Sequence, residues 1–131
     1  MRTALFMATL VSFGALASEV NSYEEASQLA KSDSLNPEYR EWYLREMRPA
    51  FSQYFRSSVA GCLKGTQSNE TLTFGLVFAV DRSGKVRRVF WKASTALTAC
   101  LEAGLREATF PPSPKDEFYF GMEVKPRSPA V

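Results

Sequence analysis

An α+β domain is what the apolar pattern of this chain predicts: two main helices packed on one face of a three-stranded sheet, in the order α-β-β-α-β. Three observations carry that expectation. Apolar residues recur at threes and fours from Tyr39 to Leu63 and again from Leu97 to Ala108, the spacing of an amphipathic helix. They recur at twos across residues 72–80, 85–92 and 117–125, the spacing of a strand with one buried face. Glycine and proline punctuate the chain between these runs, and no linker or internal repeat divides it.

Each element has its own local signals. Ser22 followed three residues later by Glu25 has capping-box spacing and predicts a short helix over residues 22–30. Residues 31–35 are polar and read as a turn. Asn36-Pro37 opens the long helix, because asparagine caps well and proline needs no N–H at the first helical position. Pro49 lies inside that run and must kink or split it near Met47. Gly65 can close it. After a polar turn over residues 66–71, Leu72, Phe74, Leu76, Phe78 and Val80 mark one face of the first strand. Asp81-Arg82-Ser83-Gly84 is a turn, led by aspartate and released by glycine at positive φ. Residues 85–92 return as the second strand of a hairpin, with Val86 and Phe90 as core positions and Arg88 on their face. Thr95 leads into the second main helix, whose stripe is Leu97, Cys100, Leu101, Gly104, Leu105 and Ala108. Phe110-Pro111-Pro112-Ser113-Pro114 cannot continue a helix and reads as a rigid extended connection. The last strand sets Phe118, Phe120, Met122 and Val124 against Tyr119, Gly121 and Glu123. Its place in the sheet is left open by the pattern.

Residues 1–17 read as a cleaved signal peptide. Arg2 precedes a mostly apolar run of about 14 residues, short of the roughly 20 that span a bilayer, and Ala15-Leu16-Ala17 is a small-x-small cleavage pattern. The expected organisation is a signal peptide (1–17), a helical extension (18–35), a single α+β domain (36–125) and a flexible tail (126–131) broken by Pro126 and Pro129. The expected location is periplasmic or secreted, with no stable membrane anchor after cleavage. In an exported chain Cys62 and Cys100 form an even pair and predict a disulfide between the two main helices. Two free buried thiols are the alternative. Redox work is disfavoured, because there is no Cys-x-x-Cys pair and no histidine to depress a thiol pKa.

Composition narrows the chemistry. The chain has 131 residues, 16 Lys+Arg against 14 Asp+Glu, and no histidine. The net charge of +2 gives no bulk field for nucleic acid. Without histidine there is no Ser-His-Asp or Cys-His nucleophile, no His-ligated metal and no His general base. Hydroxyls at Ser57, Ser58, Ser94, Thr95 and Thr98 have no visible base and read as caps or solvated positions. Asp81 with Asp116 and Glu117 could be drawn as an acid–base pair, but Asp81 is better explained by the turn. The reading is a non-enzyme, with no cofactor and no metal.

The residues Leu72 to Val89 carry a resemblance. A strand, a turn with Asp81, Gly84 and Val86, a second strand, a helix ending in Leu105-Arg106-Glu107-Ala108-Thr109-Phe110-Pro111 and a third strand resemble the carboxy-terminal domain of TonB-type energy-transducing proteins. The paired cysteines are similar to those of a periplasmic branch found among gliding-motility proteins. The resemblance covers about residues 57–124. It implies the fold and an envelope location. It does not carry over force transduction, since TonB proteins have an amino-terminal anchor and a proline-rich linker where this chain has a signal and the helical stretch 39–59.

The function expected on these grounds is an exported, non-catalytic protein-binding module of the bacterial envelope. The alternative is a periplasmic inhibitor or immunity-type protein that blocks an envelope enzyme. The partner is another envelope protein or a second copy of the chain. Strict alternation puts Val77, Arg87, Val89, Trp91 and Tyr119 on the sheet face away from the helices, with Gly75 and Gly121 leaving that face flat. An aromatic and aliphatic patch beside an arginine is a reasonable partner-binding surface. Cover by the amino-terminal helix, the tail or a second copy is the competing reading. Lys85, Arg87, Arg88 and Lys92 read as a charged edge strand or as a contact for an acidic partner.

Overall fold

The computed structural model describes residues 19–64 and 73–124. The segment expected as a signal peptide, Gly65, the turn expected at 66–71, Leu72, Lys125 and the expected tail lie outside the described residues. The fold is α+β, with helices on both faces of a three-stranded antiparallel sheet.

Helix α1 (Tyr23–Leu35) starts as the sequence implies: the Ser22 hydroxyl accepts the Glu25 N–H at 3.2 Å. It runs five residues past its expected end at Ala30, through the segment expected as a turn. The reason is tertiary. Asp33, in its last turn, is buried and anchors the helix to the far end of the chain. Asn36 then stops the helix with φ −68° and ψ 119°, the extended conformation favoured before proline. The same residue caps α2 (Pro37–Trp42), its Oδ1 accepting the Glu38 N–H at 3.0 Å.

Helix α2, a π-helical turn (Tyr43–Met47) and α3 (Arg48–Leu63) follow without a break. Pro49 therefore neither splits the rod nor ends it. Proline would lose the bond to the carbonyl four residues back and crowd it. The wider turn just ahead of it, with Arg48 N–H reaching Tyr43 O, absorbs that conflict. Ring packing then fixes the rod on the sheet: Trp42 meets Phe118 edge-on at 4.9 Å, and Phe51 meets Phe120 at 4.5 Å and Phe78 at 5.5 Å.

Strands β1 (Phe74–Val80), β2 (Val86–Trp91) and β3 (Phe118–Val124) form a sheet in the order β2-β1-β3, with β1 central and buried along its whole length. The hairpin turn is held by Asp81, whose Oδ1 accepts the N–H groups of Ser83 and Lys85 and the Ser83 hydroxyl. Gly84 has φ +81°, and a Cβ there would lie 2.0 Å from the Phe110 carbonyl oxygen. Only glycine meets both demands. The 110–114 segment docks across this turn through Phe110 N–H to Gly84 O and Ser113 N–H to Asp81 O.

The expectation for the second strand fails at one residue. Ala79 pairs with Arg88 and Val80 with Val86, so Arg87 is an extra residue, a β-bulge. The bulge shifts the alternation by one. Beyond it, Val89 and Trp91 turn toward the α3–α4 side and Phe90 turns to the other.

Helix α4 (Ala96–Glu107) has a full capping box: the Thr95 hydroxyl accepts the Thr98 N–H at 3.2 Å, and the Thr98 hydroxyl accepts the Thr95 N–H at 2.8 Å. Leu97, Leu101 and Leu105 are its buried stripe, whereas Cys100, expected among them, is exposed. Cys100 is bonded to Cys62, tying the end of α3 to α4.

The stretch read as an extension is the third layer of the fold. Ala26 and Ala30 of α1 press onto Val77, Ala79 and Tyr119. A Cβ at Gly121 would sit 3.1 Å from the Ala30 methyl, and one at Gly75 would sit 2.2 Å from the Tyr23 hydroxyl. The glycines that flatten this face are seats for α1.

Candidate partner-binding edge

The five residues expected to form one exposed patch do not form one. Val77 and Tyr119 lie under α1, 1% and 5% exposed. Val89 and Trp91 pack on the α3–α4 core, Trp91 edge-on to Phe74 and donating its indole N–H to Glu102 at 3.1 Å. Arg87 alone is exposed, and it is paired with Asp81. That acidic partner is held well below the usual carboxylate range, first by the Ser83 hydroxyl, then by Arg87 and the Lys85 and Ser83 N–H groups.

The basic stripe of β2 is matched in the same way. Arg88 faces Glu117 at 3.8 Å, and Lys92 faces Glu123 at 3.9 Å. Both pairs bridge from β2 to the β3 side across β1 on the α1 face. Tyr23 adds a hydrogen bond to Glu123 at 3.4 Å, and burial followed by Glu123 raises its phenol above the ordinary 10.0. Burial first and then Glu117 do the same for Tyr119. Both tyrosines thus remain neutral donors at physiological pH.

Among the described residues, no strand pairs with the outer edge of β3. The Lys92 N–H donates to Gly75 O, and the Asp81 N–H donates to Lys85 O. Odd-numbered β1 residues therefore bond toward β2, and Phe74, Leu76, Phe78 and Val80 bond toward β3. Their β3 partners are the even-numbered Val124, Met122, Phe120 and Phe118. It follows that the N–H and C=O of Tyr119 and Gly121 point away from the sheet. The Tyr119 N–H is already taken: Asp33 Oδ2 accepts it at 2.9 Å, while Asp33 Oδ1 accepts the Lys115 ammonium at 2.9 Å. A buried carboxylate thus stands where the next strand would begin. Two residues on, Gly121 is exposed.

Gly121 lies on the floor shared by two concavities. One, of about 320 Å³, runs between α1 and β3 past Ser27, Lys31 and Ser34. The other, of about 350 Å³, runs between α3 and β3 past Arg48, Ser52 and Arg56. Tyr43, from the π-helical turn, lines both. Together they form a groove with a strand edge along its floor. An extended chain could bond to that edge while its side chains point alternately to the two walls.

The sequence held partial signals for this site. Gly121 stood out, but as a flat surface. Asp33 was lost in the supposed turn at 31–35, and Tyr43 was one aromatic of a helical stripe. Among the described residues no three His, Cys, Asp or Glu side chains gather as a metal site, and no helix is long and apolar enough to cross a membrane. No family model, curated protein or solved structure matches the chain.

Proposed function

We propose that this protein is an exported, non-catalytic protein-binding module of the bacterial envelope that takes an extended segment of its partner as a fourth strand along β3. The observation that carries this reading is the outward Gly121 backbone on the floor of a two-walled groove, beside a Tyr119 amide already capped by Asp33. Unpaired edge groups favour added strands, and main-chain bonds supply affinity without any catalytic group. The three-stranded antiparallel sheet supports the likeness to TonB-type carboxy-terminal domains. The Cys62–Cys100 bond suits an oxidising compartment.

A photo-crosslinking residue tests the reading. Placed at Ser52, in the groove, it is expected to capture a defined envelope protein in living cells. Placed at Arg82, on the hairpin turn, it is not. Equal labelling from both positions, or labelling from Arg82 alone, would remove the groove as the binding site.

A further inference from the structure

The two walls of this groove gather unpaired cations from different helices. Most cations of the fold are matched: Arg45, Arg82, Arg87, Arg88, Lys92, Arg106 and Lys115 each have a carboxylate within 4 Å. Among the described residues, Lys31, Arg40, Arg48, Arg56, Lys64 and Lys85 make no ion pair. Three of these six line the groove, Lys31 on the α1 wall and Arg48 and Arg56 on the α3 wall. All three are exposed. The acidic residue of the groove, Glu123, is engaged by Lys92 and Tyr23. The groove therefore presents cations on both sides of an open strand edge, with Tyr43, Phe55 and Met122 as apolar surface between them.

Resting on the strand-addition reading above, we infer that the occupant is an extended segment of another protein in which acidic side chains alternate with apolar ones. Its backbone bonds to Gly121. Its carboxylates reach Lys31 on one side and the two guanidiniums on the other, where arginine can grip a carboxylate through two parallel hydrogen bonds. Its length is bounded at one end by Asp33, which occupies the Tyr119 amide and repels an incoming carboxylate there. A second copy of this chain fits poorly. Pairing two β3 edges about a two-fold axis sets the Arg48 and Arg56 walls of the two copies side by side, cation against cation.

Panning a display library of random nine-residue peptides against the full-length, disulfide-bonded protein tests the inference. Enriched peptides are expected to carry a net negative charge and to lose affinity as salt rises. They are expected to shift the Gly121 amide resonance. The double variant R48E/R56E should bind them about tenfold or more weakly, with an unchanged melting temperature because both side chains are exposed. Neutral or basic enriched peptides that shift Gly121 would overturn the acidic occupant and leave strand addition standing. Acidic peptides that leave Gly121 unmoved would overturn the edge as the acidic site. No enrichment would overturn both.

Discussion

Trp91 shows how much one residue's environment turns on another's backbone. The bulge at Arg87 swings the indole from the expected outer face to the core side, against Phe74 and Glu102. Its role is therefore structural. Trp91→Ala is expected to cost about 2–3 kcal/mol in chemical denaturation, below the roughly 3–5 of a fully buried ring because it is half-buried. A melting temperature within a degree of the parent would return the ring to the surface. Asp81 sets a different test. Its folded-state pKa lies below the ordinary 3.8, so its contribution is complete above that value and is lost progressively as the pH falls toward the folded-state pKa. Asp81→Asn should melt lower than the parent at pH 7, and the gap should narrow by pH 2.5. A gap that is constant across this range would show that the turn does not depend on the carboxylate's charge.

At the scale of elements, the legible parts were those governed by local rules. The Ser22 and Thr95 caps, the Asn36-Pro37 boundary, the Asp81–Gly84 turn and the buried face of β1 all follow from short-range chemistry, and each is in place. The parts that were not legible depend on distant partners. Residues 31–35 look like a turn until Asp33 meets Tyr119 and Lys115, some 80 residues away. The phase of β2 depends on a bulge that no composition signal marks, since Val86-Arg87-Arg88-Val89 can be read in either phase. The same long-range logic hides the full length of α1 and its seat on the sheet, since its weak stripe is built from alanines. Those small residues matter because the sheet offers glycines beneath them. Ala26 is fully buried. Ala26→Leu keeps helix propensity but forces α1 off the sheet, and an overpacked site of this kind is expected to cost about 1–3 kcal/mol. Faster hydrogen exchange at the Tyr119 amide should accompany the loss, since Asp33 rides on the same helix. A stable variant with unchanged exchange there would mean that α1 is not packed as tightly as the Gly121 approach implies.

For the molecule as a whole, the two helical layers are secured differently. α1 is held by the buried carboxylate of Asp33, paired with a half-buried Lys115, and by small-residue packing, and the α2–α3 rod by a ring cluster around Phe51. The contact of α3 with α4 is more peripheral. Cys62 is half-buried, Cys100 is exposed, and the buried leucines of α4 face the sheet core. The disulfide spans 38 residues, and that span encloses the whole β1–β2 hairpin. Its main effect should therefore fall on the unfolded chain. In the chain-entropy account, a loop of this size removes about 4 kcal/mol of freedom from the denatured ensemble, a large share of the roughly 5–15 kcal/mol of a typical domain. Replacing both cysteines by serine is expected to lower the unfolding free energy by about that amount. The denaturant slope should rise at the same time, because an uncrosslinked chain exposes more surface when it unfolds. The paired outcome matters. A fall in free energy with an unchanged slope would place the effect in the native α3–α4 contact instead. A fall below about 1 kcal/mol would mean that the rod and α4 hold each other through the ring cluster without the bond. Alkylation of the protein purified under non-reducing conditions gives the independent check: two reactive thiols would show that the bond is not made in the cell.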